Sequence, residues 1–403
     1  MYHGLRQVSG ISANLQPRDL GSWGPRVLVD VLLARVRFEQ AKSKTLSPQV
    51  PKTPTDMKGF VSSRLHPIAN LLLLVGLMLL AFCVAGFLMG ALSNLFFGVG
   101  LLEIGNVTKT PALHDHGWGV SMLSQGVLLF VGFGGAALAL PLLTGHTWAE
   151  YFAPRRPVPV LWLLGAAGLV IVSVPAMSGL VEWNAQAHFP SFLQGWEKSA
   201  RELEDRAQEL TKYLTRFSSP LRFVVGLVVI AVVPAISEEL VFRGVVQRNL
   251  VQWFNSRHVG VWLAAAIFSA IHFQFFGFVP RFVLGLILGY LYEWSGNILV
   301  PMAAHFTQNA FQLVLLYAQQ RGAFGVASFD PDSTEALPWW WQLLSLVLTG
   351  ATLWLLYQRT QQDPAADPLP SEMHVLGRHG AAVSRPAPPH TSRTLTHDGV
   401  DVS

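Results

Sequence analysis

The feature that most constrains the fold is a series of long apolar stretches, several of which contain no charged residue over the length of a membrane span. The hydrocarbon core of a bilayer is about 30 Å thick, so a helix rising about 1.5 Å per residue needs roughly 20 apolar residues to cross it. Charged residues make up 13% of the chain, whereas soluble domains carry about 25%. The sequence therefore predicts an all-α, polytopic membrane helical bundle.

Eight hydrophobic segments lie between polar ends, and we expect about eight transmembrane helices. The sixth is short, because only eleven residues separate Arg281 from Glu293. We divide the membrane part into 67–220 (three spans and an amphipathic helix), 221–318 (a four-span catalytic core) and 319–358 (the last loop and span). The segments are Asn70–Leu92, Met122–Leu143, Val158–Leu180, Leu221–Val245, Val259–Phe276, Phe282–Trp294, Ile298–Ala318 and Trp340–Tyr357.

Both ends of the chain are polar. We expect residues 1–66 to be disordered or mis-annotated, with Met57 as the true start, and residues 359–403 to form a disordered tail. Basic residues that precede or follow the spans predict that both termini are cytoplasmic, by the positive-inside rule. We expect a multi-pass protein of the bacterial inner (plasma) membrane. The basic residues are Lys58, Arg64, Arg155, Arg156, Arg248, Arg257 and Arg359.

Composition excludes several functional classes. Cys83 is the lone cysteine, so neither an intrachain disulfide nor a cysteine metal site is available. The net charge is +4 and the basic residues are spread through loops and both ends, which gives no support for a nucleic-acid partner.

One segment between the third and fourth spans has the pattern of an amphipathic helix. Apolar residues recur at alternating steps of four and three, with charged residues between them, over about three heptads. We favour a helix on the membrane surface or packed against the spans, and a dimer contact or a lid over the site stays open. The apolar positions are Trp196, Ala200, Leu203, Ala207, Leu210, Leu214 and Phe217.

Three charged residues lie close together near the end of the fourth segment. Glu239 and Arg243 are four residues apart, so they share a helix face and can pair in the favourable acid-first order. Glu238 is turned about 100° away and remains available for chemistry. A helix at the membrane boundary, with charges in the headgroups, is the structural alternative.

Two further segments carry polar residues at the same four-residue spacing. The fifth contains Phe268 and His272, and the seventh contains His305 and Asn309. A buried histidine can be a hydrogen-bonded core residue, and an asparagine can be a purely structural interhelical link. Gly285 and Gly289, on the segment between them, predict close helix packing.

Ionisable residues inside a membrane normally face a protein interior or a water-filled cavity, which makes clustering of these side chains the expected arrangement. Together they supply what peptide hydrolysis requires, because a carboxylate can activate water and His or Asn can stabilise an oxyanion. The expected partners are the lipid bilayer and a membrane-associated peptide or protein substrate.

The sequence resembles a known family in three motifs. The motifs Glu238-Glu239-xxx-Arg243, Phe268-xxx-His272 and His305-xxx-Asn309 are similar to those of the CAAX-protease and bacteriocin-processing family (CPBP, or Abi), whose eukaryotic relative trims prenylated CAAX proteins. The resemblance covers about residues 221–318. It implies an intramembrane endopeptidase, with CAAX-type or other membrane peptides as substrates.

The resemblance also implies roles. Glu238 would be the base that activates water, Glu239 with Arg243 would orient it, His272 would be a second polar partner of the water or metal, and His305 and Asn309 would stabilise the oxyanion. The family is usually described as metalloprotease, and Glu238, His272 and His305 could form a Zn²⁺ site. We favour a metal-free glutamate mechanism, because Asn309 is a poor zinc ligand and a good oxyanion donor.

Two other functions stay open. Glutamate and histidine inside spans also mark proton- or ion-coupled transporters, although the chain shows no inverted repeat. A non-catalytic scaffold or immunity member of the same family is the third reading. The run His114-Asp115-His116 could bind a metal ion, but we interpret it as a solvated loop.

Overall fold

The helices of this protein are described by a computed structural model that covers residues 59–61, 65–152, 158–322 and 335–361. The regular structure of these residues is helical throughout. Most of the predicted N-terminal segment and almost all of the C-terminal tail lie outside the described residues, as does the proposed start at Met57. The helices are α1 (Pro67–Phe97), α2 (Leu101–Lys109), α3 (Gly117–Leu143), α4 (Trp148–Phe152), α5 (Val160–Ala185), α6 (Gln194–Leu214), α7 (Pro220–Phe254), α8 (Arg257–Ala270), α9 (Phe278–Ser295), α10 (Leu299–Gln320) and α11 (Trp339–Gln361).

Six helices in the described part of the chain are long and apolar enough to span a membrane, namely α1, α3, α5, α7, α9 with its preceding turn, and α11. The protein is therefore a polytopic helical membrane bundle, and the predicted count of eight stays a prediction. The two segments that fall short are α8 and α10. α8 has 14 residues, a length of about 21 Å, and α10 includes His305, Thr307, Gln308 and Asn309, which lower its hydropathy.

Local sequence signals set the bounds of the helices around the site. The Ser219 side chain caps α7 by accepting a hydrogen bond from Arg222 N at 3.3 Å, and Pro220 occupies the first helical position, where no N–H is needed. Asn255 ends α7 in the left-handed region, with φ 50°. Ser256 then caps α8. These two residues reverse the direction of the chain, so that α8 packs against the second half of α7 and against α9.

The core of the bundle lies around the second half of α7. Every residue from Ser237 to Val251 is buried, and apolar side chains from α1, α3, α4 and α8 pack against this stretch. A second apolar cluster joins α5, α9, α10 and α11. The middle of α7 is thus enclosed by protein, which is the environment in which ionisable residues are found inside membranes.

The segment with the amphipathic pattern forms α6, whose end contacts α3 and whose start contacts the loop that precedes it. Trp118 Nε1 donates to Leu214 O at 2.8 Å. At the other end, the Glu197 carboxylate accepts from Phe189 N at 2.8 Å and from Arg201. These hydrogen bonds lower the pKa of Glu197 to about 2. These contacts join α6 to α3 and to the loop before it, and the choice among the predicted roles of α6 stays open.

Candidate active site

The backbone of α7 is irregular on both sides of the glutamate pair. The i→i+5 hydrogen bonding typical of a π-helix occurs at Leu227–Val232 and again at Leu240–Gln247, with regular α-helix at Val233–Glu239 between them. Such insertions into α-helices are frequent at functional sites. They place Glu238 and Glu239 on a short α-helical stretch whose flanks are shifted in register.

Glu239 and Arg243 form the ion pair that their spacing predicts. Arg243 Nη1 donates to Glu239 Oε1 at 2.7 Å, and Nη2 donates to Gly285 O on α9 at 3.0 Å. Both side chains are almost fully excluded from solvent, with 1% and 0% of their surface exposed. The pair is therefore a rigid structural unit that connects α7 to α9.

His305 lies between the two glutamates. Its Nδ1 is 2.8 Å from Glu239 Oε1, and its Nε2 is 3.9 Å from Glu238 Oε2. A hydrogen bond from Nδ1–H to Glu239 fixes the ring orientation and directs Nε2 towards Glu238. The Glu239–Arg243 pair thus holds His305, and its role in orienting Glu238 stays a prediction.

The two glutamates differ in their access to the site. The side chain of Glu238 is 10% exposed, whereas that of Glu239 is fully buried. Glu238 and Nε2 of His305 are too far apart for a direct hydrogen bond and close enough to contact one small molecule between them. Glu238 is therefore the carboxylate that a substrate or water can reach.

The predicted fifth segment, Val259–Phe276, placed His272 within a helix. In the structure α8 ends at Ala270, so His272 lies just beyond it. Its Nδ1 is 2.8 Å from Phe268 O, a carbonyl that can only accept, so the neutral ring carries its lone pair on Nε2. The Phe268 ring stands edge-on between both histidines, with centroids 5.2 Å from His272 and 6.0 Å from His305. Phe268 therefore contacts both imidazole rings.

The turn after His272 has an unusual backbone. Phe273 adopts a φ of 53°, a left-handed conformation that is rare for an aromatic residue and costs about 1–3 kcal/mol. Neighbouring contacts hold the turn in place, since Ser269 Oγ donates to Phe278 O at 2.6 Å and Asn184 Nδ2 donates to Phe275 O at 3.2 Å. Strain of this kind clusters at active sites.

Asn309 has a structural partner. Pro234 has no N–H, so it cannot donate to Ile230 O as an ordinary helical residue would. Asn309 Nδ2 donates to that carbonyl at 3.2 Å, which connects α10 to α7. The amide group has a second N–H, and this one is the donor that an oxyanion role requires.

One helical turn after Arg243, Gln247 makes a second polar contact from α7 to a backbone carbonyl of α9. Gln247 Nε2 donates to Gly289 O at 3.1 Å and to Glu293 Oε1 at 3.0 Å, and all three residues are buried. A Cβ on Gly289 would lie 2.8 Å from Val261 Cγ1, which agrees with the predicted role of these glycines in close packing. Sequence reasoning missed Gln247 and Glu293, although their spacing from Arg243 and Gly289 could have indicated them.

Sequence reasoning also missed Arg281, in the first turns of α9. Arg281 interacts electrostatically with Glu238 and with Glu204 of α6, and His272 lies within the range of its charge. The guanidinium donates to the carbonyl and to the side-chain oxygen of Gln274. In the sequence, Arg281 only marked the start of the short sixth segment.

The proposed zinc ligands do not form a metal centre in the part of the chain that the structure describes. No three His, Cys, Asp or Glu side chains converge there closely enough to hold a metal ion, including the set Glu238, His272 and His305 and the run His114-Asp115-His116. Glu239 and Phe268 O already occupy one nitrogen of each histidine. We therefore derive no step through a metal ion.

Comparison with known proteins shows what the part of the chain that carries this site is similar to. Residues 220–311 match the family model of the type II CAAX prenyl endopeptidase Rce1-like proteins, and this range contains all six predicted site residues. The chain is 36% identical over 93 residues to the uncharacterized protein YpbD of Bacillus subtilis; the aligned region is 22% of this chain and 44% of YpbD. No solved structure matches the chain.

Proposed function

We propose, because residues 220–311 match the Rce1-like family model, that the protein is an intramembrane endopeptidase in which Glu238 activates the attacking water. The observation that carries the proposal is the arrangement of two adjacent glutamates in different environments. Glu239 is enclosed in an ion pair with Arg243, whereas Glu238 keeps 10% of its side-chain surface exposed and lies 3.9 Å from His305, the histidine that the pair holds. One carboxylate is structural, and the other is available for proton transfer.

The chemistry follows from these positions. The Glu238 carboxylate removes a proton from water as the oxygen attacks the carbonyl carbon of the peptide, and a tetrahedral oxyanion forms. Glu238 then gives that proton to the leaving nitrogen, the C–N bond breaks, and a carboxylic acid and an amine result. General base catalysis of this kind contributes about 10²- to 10⁴-fold to the rate.

The remaining residues hold the reacting groups. Nε2 of His305 faces Glu238 and donates to the oxyanion when the ring is protonated, and the second N–H of Asn309 is the other proposed donor. His272 approaches from the end of α8 as a second polar partner of the water. Fixed donors directed at the oxyanion are worth about 2.7–4 kcal/mol each.

The site is enclosed by spans, so we propose that the substrate is a peptide or protein segment that reaches it from the bilayer. CAAX-type substrates are part of this proposal on the basis of the family match. We also propose, from the distribution of basic residues, that both termini lie in the cytoplasm and that the membrane is the inner membrane of a bacterium.

The test is cleavage of a membrane-peptide library by purified protein in detergent, with products identified by mass spectrometry. Wild type is compared with Glu238→Gln, which keeps the size of the side chain and removes its basicity. Glu202→Gln, at an exposed position of α6, is the matched control. We expect cleavage by wild type and Glu202→Gln, and a rate at least about 100-fold lower in Glu238→Gln; equal rates in all three would refute the proposal.

A further inference from the structure

We propose that a zwitterionic phospholipid binds in a groove between α3 and α7, with its phosphate on Arg222, its ammonium group beside Asp115 and one acyl chain between the helices. The groove is a cavity of about 500 Å³ at the starts of the two helices, and the last two residues of α1 also line it. This volume is typical of small-molecule sites in proteins, which measure about 300–1,000 Å³. The proposal is independent of the endopeptidase function, because none of the lining residues is one of the six predicted site residues.

The groove is polar only at its mouth. Its charged or titratable lining residues are Asp115 and His116, just before α3, and Arg222, in the first turn of α7. The other lining residues are apolar or glycine and continue to Val127 and Val229, ten and nine residues after the first residues of α3 and α7. At about 1.5 Å per residue this part is roughly 14–15 Å deep. That depth matches one leaflet, which is half of a hydrocarbon core about 30 Å thick.

Arg222 presents its N–H donors at the mouth of the groove. Its guanidinium lies over the Trp118 ring, with Cζ 4.8 Å from the ring centroid. Trp118 Nε1 donates to Leu214 O at 2.8 Å, so the ring has a fixed position. Within the described residues the guanidinium makes this cation–π contact and no hydrogen bond or ion pair. Its five N–H donors therefore remain for a phosphate, which arginine binds in bidentate geometry.

Asp115 adds the opposite charge at the same mouth. Its side chain is exposed and lines the cavity, and no ion pair joins it to Arg222 in the described part of the chain. A headgroup with a negative charge alone would meet the Asp115 carboxylate as well as the guanidinium. A phosphate that carries an ammonium group places an opposite charge against each of them. Charge complementarity therefore favours a zwitterionic headgroup.

The groove and the candidate active site lie on different sides of α7. Val225 and Val229 line the groove, whereas Leu227 and Ile230 pack against α10, the helix that carries His305. A phospholipid in the groove therefore leaves the space between α7 and α10 unoccupied.

The test is native mass spectrometry of the full chain in detergent, titrated with phosphatidylethanolamine or with phosphatidylglycerol of the same two acyl chains. The apparent Kd of the first bound lipid comes from the intensities of free and lipid-bound protein. Arg222→Gln and Asp115→Asn are compared with Arg216→Gln. This control removes an exposed arginine near the start of α7 that does not line the cavity.

We expect wild type to bind phosphatidylethanolamine about two- to five-fold more tightly than phosphatidylglycerol, the range for one exposed charge pair, and Asp115→Asn to abolish this preference. Arg222→Gln should weaken the binding of both lipids about 10-fold, the effect of one charge-assisted hydrogen bond, and Arg216→Gln should leave it unchanged. Equal affinity of wild type and Arg222→Gln for phosphatidylethanolamine would overturn the proposal. It would also be overturned if phosphatidylglycerol bound wild type as tightly as phosphatidylethanolamine or more tightly.

A second variant blocks the apolar part of the groove. A Cβ on Gly126 would lie 3.5 Å from Val229 Cγ2, an ordinary contact, so Gly126→Leu places its side chain where the acyl chain binds. Gly350→Leu, at a position that meets open space, is the matched control, and SDS titration shows whether both variants fold. Gly126→Leu should weaken phosphatidylethanolamine binding at least about 10-fold, the effect of excluding about two methylene groups. An undiminished affinity in folded Gly126→Leu would overturn the proposal, and the Arg222→Gln comparison decides it if Gly126→Leu does not fold.

Discussion

Replacing Arg243 by methionine tests the idea that the buried ion pair is a structural unit. Methionine has a similar length and flexibility, so the change mainly removes the charge and the hydrogen bonds. It leaves the carboxylate of Glu239, which is 0% exposed, without its cation. It also leaves Gly285 O without the donor that lies 3.0 Å away.

Removal of one partner of a buried ion pair costs about 3–5 kcal/mol. His305 Nδ1 lies 2.8 Å from the same oxygen of Glu239, and a protonated ring would compensate part of the lost charge. We therefore expect a cost near 3 kcal/mol for Arg243→Met. The double variant Glu239→Gln with Arg243→Met should lose less, about 1–3 kcal/mol, because the hydrogen bonds of Arg243 are lost but no buried charge is left without its partner.

The assay is the free energy of unfolding in detergent micelles, measured by SDS titration with circular dichroism. Arg222→Met is the control for loss of an arginine away from the pair, and it should change stability by less than about 1 kcal/mol. A double variant that is as unstable as Arg243→Met, or less stable, would refute the reasoning. The destabilisation would then come from lost packing and not from an unpaired buried charge.

Three further predictions follow from the packing and the chemistry. Gly289→Ala should destabilise the bundle by about 1–3 kcal/mol, because the new Cβ would lie 2.8 Å from Val261 Cγ1, whereas Gly350→Ala meets open space; equal unfolding free energies in both variants would contradict this. Asn309→Ala should lower the free energy of unfolding in the SDS titration by about 1–3 kcal/mol, because Ile230 O loses its hydrogen bond from Asn309. It should also reduce kcat, and an unchanged kcat in the cleavage assay would exclude the oxyanion role of Asn309. Treatment with 1,10-phenanthroline should leave the cleavage rate unchanged if the mechanism is metal-free, and a loss that added Zn²⁺ restores would show a metal-dependent enzyme.

The sequence was sufficient to predict the fold class and one contact of the candidate site. Apolar stretches of span length are a direct consequence of bilayer thickness, and charged residues inside them are costly enough to stand out. The i,i+4 spacing predicted the Glu239–Arg243 pair because that contact lies within one helix. The helical form of α6 was likewise readable from its amphipathic pattern.

The spacing of residues along the sequence does not predict contacts between different helices. Nothing in the sequence shows that His305 bonds to Glu239, or that Asn309 donates to the carbonyl released by Pro234, because these pairs are 66 and 79 residues apart. The span count was hard to predict for a related reason. The polar residues that build the site lower the hydropathy of α10, and α8 ends two residues before His272.

The central claim is that water activated by Glu238 attacks the substrate directly. The most direct test is a single-turnover reaction in water enriched in ¹⁸O, with enzyme in excess over a cleavable membrane peptide, followed by mass spectrometry of the fragments and of the protein. The account predicts one ¹⁸O atom in the new carboxylate of the N-terminal fragment after the first turnover, and formation of that fragment at least about 100-fold more slowly in Glu238→Gln. An unlabelled fragment with ¹⁸O incorporated into the protein, or an undiminished rate in Glu238→Gln, would contradict it.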